Sequence, residues 1–517
     1  MRELHTPSEA ALWLRQHVRG TLQTDSRKLA PGDGFIAWPG AAVDARAHVG
    51  GALALGVAAC LVERAGADAY HFEGERIATY AGLKAASALV ATDFFGQPSQ
   101  QLDVVAVTGT NGKTSTVWWL AQALSSTELR PALPCAMVGT LGVGRPPAAS
   151  AADDESLPAD LLATGLTTPD PVLLQASLRR FADAGVRACA LEASSIGIDD
   201  HRLDGTLVRT AIFTNFTQDH LDYHGSMAAY WRAKARLFRW PGLRAAVVNI
   251  DDPKGVELVR ALEHSGLDIW TISARAAARL RAGDTSQAGG KLAFDVIEGD
   301  TQHRLETRAV GQYNVSNLLG VIAAMRSLHV PLDQAVAACR ALAPVPGRMQ
   351  WVDAPGKPLV AVDYAHTPDA LEKALQALRP LTGQRGGQLW CVFGCGGNRD
   401  PGKRPLMGVA AANGADQVVV TSDNPRNEDP QGIIDQIMAA LAGRPAISRQ
   451  VDRALAIAQT LQHATSKDVV LVAGKGHEAY QEVAGERVPF SDLEQVRAAL
   501  ADWRAPSSCH GVPASPA

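Results

Sequence analysis

The segment from Val104 to Thr116, VVAVTGTNGKTST, constrains this chain more than any other. Val104, Val105 and Val107 form an apolar β-branched run, Gly109, Asn111 and Gly112 interrupt it, and a helical pattern then continues through Trp118 and Leu120. That order is strand, glycine loop, helix. Such a loop turns backbone N–H groups toward a polyphosphate at the positive end of a helix, where Lys113 adds a point charge and Thr114 a hydroxyl suited to Mg²⁺. Gly109, Thr110, Asn111, Gly112, Lys113, Thr114 and Ser115 are therefore candidate ATP-binding residues. The spacing departs from the general G-x-x-x-x-G-K-[ST] pattern, because Val107 stands where the first glycine is expected. A chance Gly-Lys-Thr is the bland alternative, and the flanking strand and helix argue against it.

A chain of 517 residues exceeds one hydrophobic core and predicts about three domains. Hydrophobic residues at 46%, charged residues at 20% and a formal charge of -4 describe a soluble enzyme with no basic footprint for nucleic acid. The seven cysteines are scattered in apolar surroundings, which fits reduced core thiols in a cytoplasm. The start lacks the apolar core of a signal peptide, and the apolar run near 50–62 is too short to span a bilayer. A cytoplasmic monomer without membrane insertion is expected.

Thr6-Pro7-Ser8-Glu9 reads as a helix start with a capping box. Residues 1–97 form a small α/β domain whose expected task is holding substrate. A central α/β domain spans 98–342. Within it, 145–160 is polar and rich in Pro and Ala, the pattern of a mobile surface insertion. Ala188 to Ser195 reads as a buried strand ending in Glu192, a natural Mg²⁺ ligand beside a phosphate loop; a capping or salt-bridged Glu is the alternative. His220, in the polar run Thr217 to Gly225, is a candidate for a second Mg²⁺, since phosphoryl transfer needs positive charge on both sides of the reacting phosphate. Lys234, on a helix, reads from pattern alone as a surface lysine. Asn314, opening a helix to Leu328, is either an ATP contact or a helix N-cap.

Residues 343–505 carry a second α/β rhythm of doubly wound type, with strands at 359–363, 389–393, 417–421 and 469–472 and helical patterns such as 370–378. Polar clusters fall where those strands end: Asp363 to His366, Gly394 to Arg404, Asp423 to Arg426 and Gly474 to Glu478. The run GCGGN lacks G-x-G-x-x-G, so a dinucleotide loop is disfavoured. Residues 506–517 are expected to be a disordered tail.

Taken together, TGTNGKT at 108–114, LEASS at 191–195, TNFTQDHLDYHG at 214–225, YWRAK at 230–234, GQYNVSN at 311–317, PGR at 346–348, DYAHTPDALE at 363–372, GCGGNRDPGKRPLMG at 394–408, DNPR at 423–426 and GKGHE at 474–478 resemble the Mur ligase family in order and over nearly the whole chain. The resemblance is to its diaminopimelate-adding branch. It implies three domains: a UDP-substrate-binding domain, a P-loop ATPase-like domain and a Rossmann-like acceptor domain. It also implies a reaction in which ATP phosphorylates a carboxylate of UDP-MurNAc-L-Ala-D-Glu and the amine of meso-diaminopimelate attacks the acyl phosphate.

Residue roles follow from the same resemblance. Lys113 would bind the terminal phosphates, Thr114 and Glu192 the first Mg²⁺, and His220 the second together with Lys234 as a carbamate. Asn314, Arg348 and His366 would contact ATP. Thr24, Ser26, Thr167, Thr168, Ser194, Asp200 and Arg202 match the UDP-substrate positions, although Asp200 stands where relatives often have Gln and Ala41-Ala42-Val43 replaces a more polar loop. Arg399, Asp423, Asn424, Pro425, Arg426, Gly474 and Glu478 match the diaminopimelate pocket, with Arg426 gripping the far carboxylate and Glu478 available for the far ammonium. Pairing of Arg426 with Glu428 is the structural alternative. Competing functions are a P-loop nucleotide switch, folylpolyglutamate synthesis and a lysine-adding ligase.

Overall fold

The computed structural model describes residues 2–40, 43–148, 161–288, 291–444 and 446–505. Among the described residues three large sheets follow one another along the chain, and a two-stranded hairpin, Tyr480–Val483 with Glu486–Pro489, stands apart from them. The first has five parallel strands in the order Arg2–Leu4, Ile77–Tyr80, Ala59–Glu63, Gly34–Ala37, Leu22–Gln23. Its opening helix, Pro7–His17, is capped as expected by Thr6, whose hydroxyl accepts from Glu9 N at 3.2 Å. Glu9 closes the turn one residue early, accepting from His5 N at 3.0 Å.

The central sheet is built on the strand Asp103–Thr108, buried along nearly all its length and paired in parallel with Ala188–Glu192 on one side and Thr210–Phe213 on the other. Burial on both faces explains the unbroken apolar run that marks it in sequence. Parallel strands Ala245–Asn249 and Asp268–Ser273 extend the sheet, and the hairpin Lys291–Glu298 and Thr301–Thr307 lies near its far end. The loop helix, Lys113–Leu124, is buried all round rather than amphipathic, because it lies between this sheet and the helix Tyr313–Ser327. Asn314 is not that helix's N-cap, a position Gln312 holds; its amide donates to Val310 O at 2.7 Å instead.

The third sheet orders Leu359–Asp363, Val469–Ala473, Leu389–Phe393 and Gln417–Val420 in parallel, with Gln350–Val352 antiparallel at one edge. The helical pattern at 370–378 belongs to a longer helix, Pro368–Arg385, which runs through Pro380 at the cost of one backbone hydrogen bond. The apolar run near 50–62 splits into the helix Val49–Ala54 and the strand Ala59–Glu63. No helix among the described residues is long and apolar enough to cross a membrane. Most of the 145–160 insertion, Ala41, Ala42 and the 506–517 tail lie outside the described residues.

Candidate active site

One cavity of about 1470 Å³ runs between the central and third sheets, where the carboxyl ends of both sets of parallel strands face each other. The glycine loop forms one wall. Gly109 has φ +149 and Gly112 φ +86; a Cβ at Gly109 would stand 1.9 Å from Thr214 Oγ1, so the tight loop requires glycine there. Thr110 N donates to Asn215 O at 2.8 Å and Asn111 N to Asn215 Oδ1 at 2.9 Å, fastening the loop to the segment after the next strand.

Within that loop Lys113 Nζ donates to Gly109 O at 3.0 Å and Thr110 O at 2.8 Å. Burial lowers its pKa, opposed by the carboxylates of Glu192 and Asp219. Glu192 is fully buried and burial raises its pKa, against Lys113, Thr140 and others. Its oxygens accept from Thr114 Oγ1 at 3.1 Å, Thr140 N at 2.8 Å and Thr140 Oγ1 at 3.1 Å. A threonine hydroxyl converging with one carboxylate beside a phosphate loop fits Mg²⁺, which takes few protein ligands and keeps waters and phosphate oxygens. Among the described residues no three His, Cys, Asp or Glu side chains form a dedicated metal cluster, and a site completed by nucleotide phosphates does not need one.

The surface reading of Lys234 is overturned. It is 1% exposed, donates to Gly109 O at 2.7 Å and lies 4.4 Å from the Tyr230 ring centroid. Burial lowers its pKa well below the ordinary lysine value, with Lys113 adding to the effect. The i, i+4 spacing of Tyr230 and Lys234 on one helix face was the available signal. His220, at φ +52, is pushed down to about 3 by burial, so it stands neutral and able to ligate.

Thr140, Asp219, Lys403 and Asp369 join the site, although sequence reading gave none of them a role of its own. Thr140 holds Glu192 as described. Asp219 is 4% exposed and lies 3.2 Å from Lys403 Nζ, 3.4 Å from His220 Nε2 and 3.9 Å from His366 Nε2; burial pushes its carboxyl up, and its interactions with these three side chains hold it far below the usual range. The Lys403 pair, like Asn111 Nδ2 to Asp369 Oδ2 at 2.9 Å and Arg348 Nη2 to Thr114 Oγ1 at 3.1 Å, bridges the two facing sheets. Such pairings join residues far apart in sequence, so no local pattern announces them.

Thr110 to Ser115, Asn314, Arg348 and His366 line the cavity, as do Glu192 and His220. So do Thr167, Thr168, Ser194 and Arg202; Thr168 Oγ1 donates to Glu192 O at 2.7 Å and Arg202 Nη1 to Thr168 O at 2.9 Å. Asp200 lies behind them, tied to Arg202 Nε at 3.1 Å and to Lys84 of the first domain at 2.7 Å. Thr24 and Ser26 are not brought to this cavity. Arg399, Asp423, Asn424, Arg426, Gly474 and Glu478 form its far end, while Pro425 and Gly109 support it from outside. The expected Arg426–Glu428 alternative is absent. Glu428 accepts from Arg404 Nη2 at 2.8 Å, and Arg426 pairs with Glu482 at 3.3 Å. Glu478 is already engaged by Lys475 Nζ at 2.8 Å and Asn424 Nδ2 at 2.9 Å.

A phosphate loop on one parallel sheet facing a second doubly wound sheet across a single cavity defines the class: a P-loop enzyme that brings two substrates together between its domains. Comparison with known proteins specifies it further. Residues 107–325 match the Mur ligase middle domain and residues 347–476 the Mur ligase glutamate ligase domain. The chain is 61% identical over 507 residues, 97% of its length and 99% of the relative's, to the UDP-N-acetylmuramoyl-L-alanyl-D-glutamate--2,6-diaminopimelate ligase of Acidovorax sp. (strain JS42). A solved structure of a ligase of that name superposes with TM-score 0.59 at 34% identity, covering 93% of this chain and 94% of that one. MurF from Acinetobacter baumannii shares the fold, with TM-score 0.68 at 19% identity over 95% of this chain and 98% of that one. The chain belongs to the Mur ligase family.

Proposed function

We infer that this Mur ligase adds meso-2,6-diaminopimelate to the D-Glu residue of UDP-MurNAc-L-Ala-D-Glu, using ATP and Mg²⁺, in the cytoplasmic synthesis of peptidoglycan precursor. The observation that carries the reading is the continuous cavity joining the glycine loop to the Arg426 cluster, since a nucleotide switch has no use for a second polar pocket.

In the reaction the γ-phosphoryl group passes from ATP to a substrate carboxylate, the acceptor amine attacks the resulting acyl carbon, and phosphate leaves. Lys113 exchanges its two loop carbonyls for phosphate oxygens, and in its buried setting that charge acts strongly on the transferring group. Arg348 and His366 reach the same space from the third domain and Asn314 from the helix behind the loop. Thr114 and Glu192 would hold one Mg²⁺, and His220 with a carbamate on Lys234 another; the ions supply charge neutralisation for phosphoryl transfer. Thr167, Thr168, Ser194 and Arg202 line the wall beside Glu192 where the UDP-peptide carboxylate would enter.

Diaminopimelate differs from lysine by a carboxylate at its far end, and a guanidinium grips carboxylates through parallel hydrogen bonds. Arg426→Ala is the test. Use of meso-diaminopimelate should fall far more than use of lysine, because losing a charge-assisted pair costs ~2 to 5 kcal/mol. Equal losses on both acceptors would contradict the assignment of Arg426.

A further inference from the structure

Arg426 already has partners in the protein. Its Nε lies 3.3 Å from Glu482 Oε2, the two side chains being 22% and 27% exposed, and its Nη1 donates to Gly397 O at 2.8 Å. Nη2 makes no hydrogen bond to the protein among the described residues. Arg426 lines the cavity and Glu482 does not, so the carboxylate holds the guanidinium from outside the acceptor space.

The backbone imposes this meeting. Glu482 sits on the strand Tyr480–Val483, whose hairpin turns at Ala484 and Gly485 with φ 51 and 82, the both-positive combination of a tight hairpin. That strand is laced to the acceptor loop: Glu482 N donates to Asn424 Oδ1 at 2.9 Å, Arg426 N to Glu482 O at 2.9 Å, and Ala484 N to Arg426 O at 2.7 Å. Arg426 is thereby fixed at φ +52, a left-handed conformation that a non-glycine residue adopts only when its surroundings hold it. On the opposite side Gly396 leaves room for the guanidinium, since a Cβ there would lie 2.9 Å from Arg426 Nη1. The neighbouring carboxylates are committed elsewhere, Glu428 to Arg404 and Glu478 to Lys475.

This changes what acceptor choice should cost. An arginine with no counter-charge would be left unpaired whenever lysine filled the site, which would give strong discrimination. With Glu482 on its Nε edge, Arg426 stays paired under lysine, and an incoming carboxylate meets a site already neutralised and carrying a like charge nearby. Both effects shrink the preference. We propose that Glu482 is a specificity-setting positioning residue, which presents the remaining edge of Arg426 to the acceptor and, as its counter-ion, limits how strongly an acceptor with a second carboxylate is preferred. The inference rests on the reading that Arg426 grips that carboxylate.

The test uses the full-length enzyme and compares kcat and KM for meso-diaminopimelate and lysine in wild type, Glu482→Gln, Arg426→Ala and the double variant. Glutamine keeps an oxygen beside Nε and removes the charge. In Glu482→Gln the diaminopimelate-to-lysine ratio of kcat/KM should rise about twofold to fivefold, the range commanded by a partly exposed ion pair, with the change falling in KM. In the Arg426→Ala background the same substitution should leave the ratio where it was, because the effect passes through the guanidinium. A ratio unmoved or lowered by Glu482→Gln, or a rise of equal size without Arg426, overturns the proposal. Equal loss on both acceptors marks a merely structural role and also overturns it. A wild type that cannot use meso-diaminopimelate removes the acceptor reading itself, a failure visible before any Glu482 variant is compared.

Discussion

At the scale of single residues, Lys234 shows how burial changes the chemistry open to an ordinary side chain. An exposed lysine near its usual pKa of about 10.4 is almost wholly charged at neutral pH. Buried beside Lys113, this amine is driven toward its neutral form, which is the form that adds CO₂ to give a carbamate. Lys234→Ala should be nearly inactive and partly rescued by short carboxylates. In wild type the CO₂-dependent share of activity should fall as pH drops through the lowered lysine pKa, because protonation removes the nucleophile. Full activity in CO₂-depleted buffer across that range would contradict the carbamate. From pattern alone this residue reads as surface, because a lysine is almost never fully buried unless paired; the contact that helps bury it comes from the glycine loop, more than a hundred residues away in sequence. Lys113 and Glu192 were legible because each ends a local pattern, a loop and a strand, whereas Asp219 and Lys403 acquire meaning only through a contact between domains.

At the scale of elements, the Arg426 end of the cavity depends on where strands stop. Arg453 and Asp492, both fully buried, form a two-pronged pair at 2.7 Å, and the same guanidinium donates to Ser422 O at 3.2 Å and Ala473 O at 2.9 Å. Those carbonyls immediately precede Asp423 and Gly474, so one buried arginine ties together the two strand ends that carry the polar cluster around Arg426. Breaking a buried pair strands an uncompensated charge at a cost of about 3 to 5 kcal/mol. Asp492→Ala should lower unfolding free energy by that order in denaturant titrations; a loss under ~1 kcal/mol would show that Arg453 finds other compensation. The strands and their polar ends were readable from apolar runs broken by Gly, Asp and Asn. The hairpin Tyr480–Pro489 was not, because its second strand, Glu486–Pro489, is exposed throughout and carries no burial pattern. That hairpin brings Glu482 to Arg426.

At the scale of the whole molecule, the cavity lies where the central and third sheets face each other, and polar contacts cross that junction. Lys403 to Asp219 is the most buried of the ion pairs there, with side chains 13% and 5% exposed. Lys403→Ala should leave Asp219 short of positive charge and loosen the junction, seen as a larger radius of gyration in small-angle scattering of the ligand-free protein; an unchanged radius would show that the remaining contacts suffice. The central claim, that the cavity couples ATP cleavage to joining a diamino acid onto a UDP-peptide, is tested most directly by measuring ADP and amide product together. UDP-MurNAc-L-Ala-D-Glu is supplied with meso-diaminopimelate, with lysine, or with no amino acid. The account predicts ADP and amide in equal amounts, formed only when both partners are present and faster with meso-diaminopimelate than with lysine. Steady ADP release without the UDP-peptide, or a preference for lysine, would contradict it.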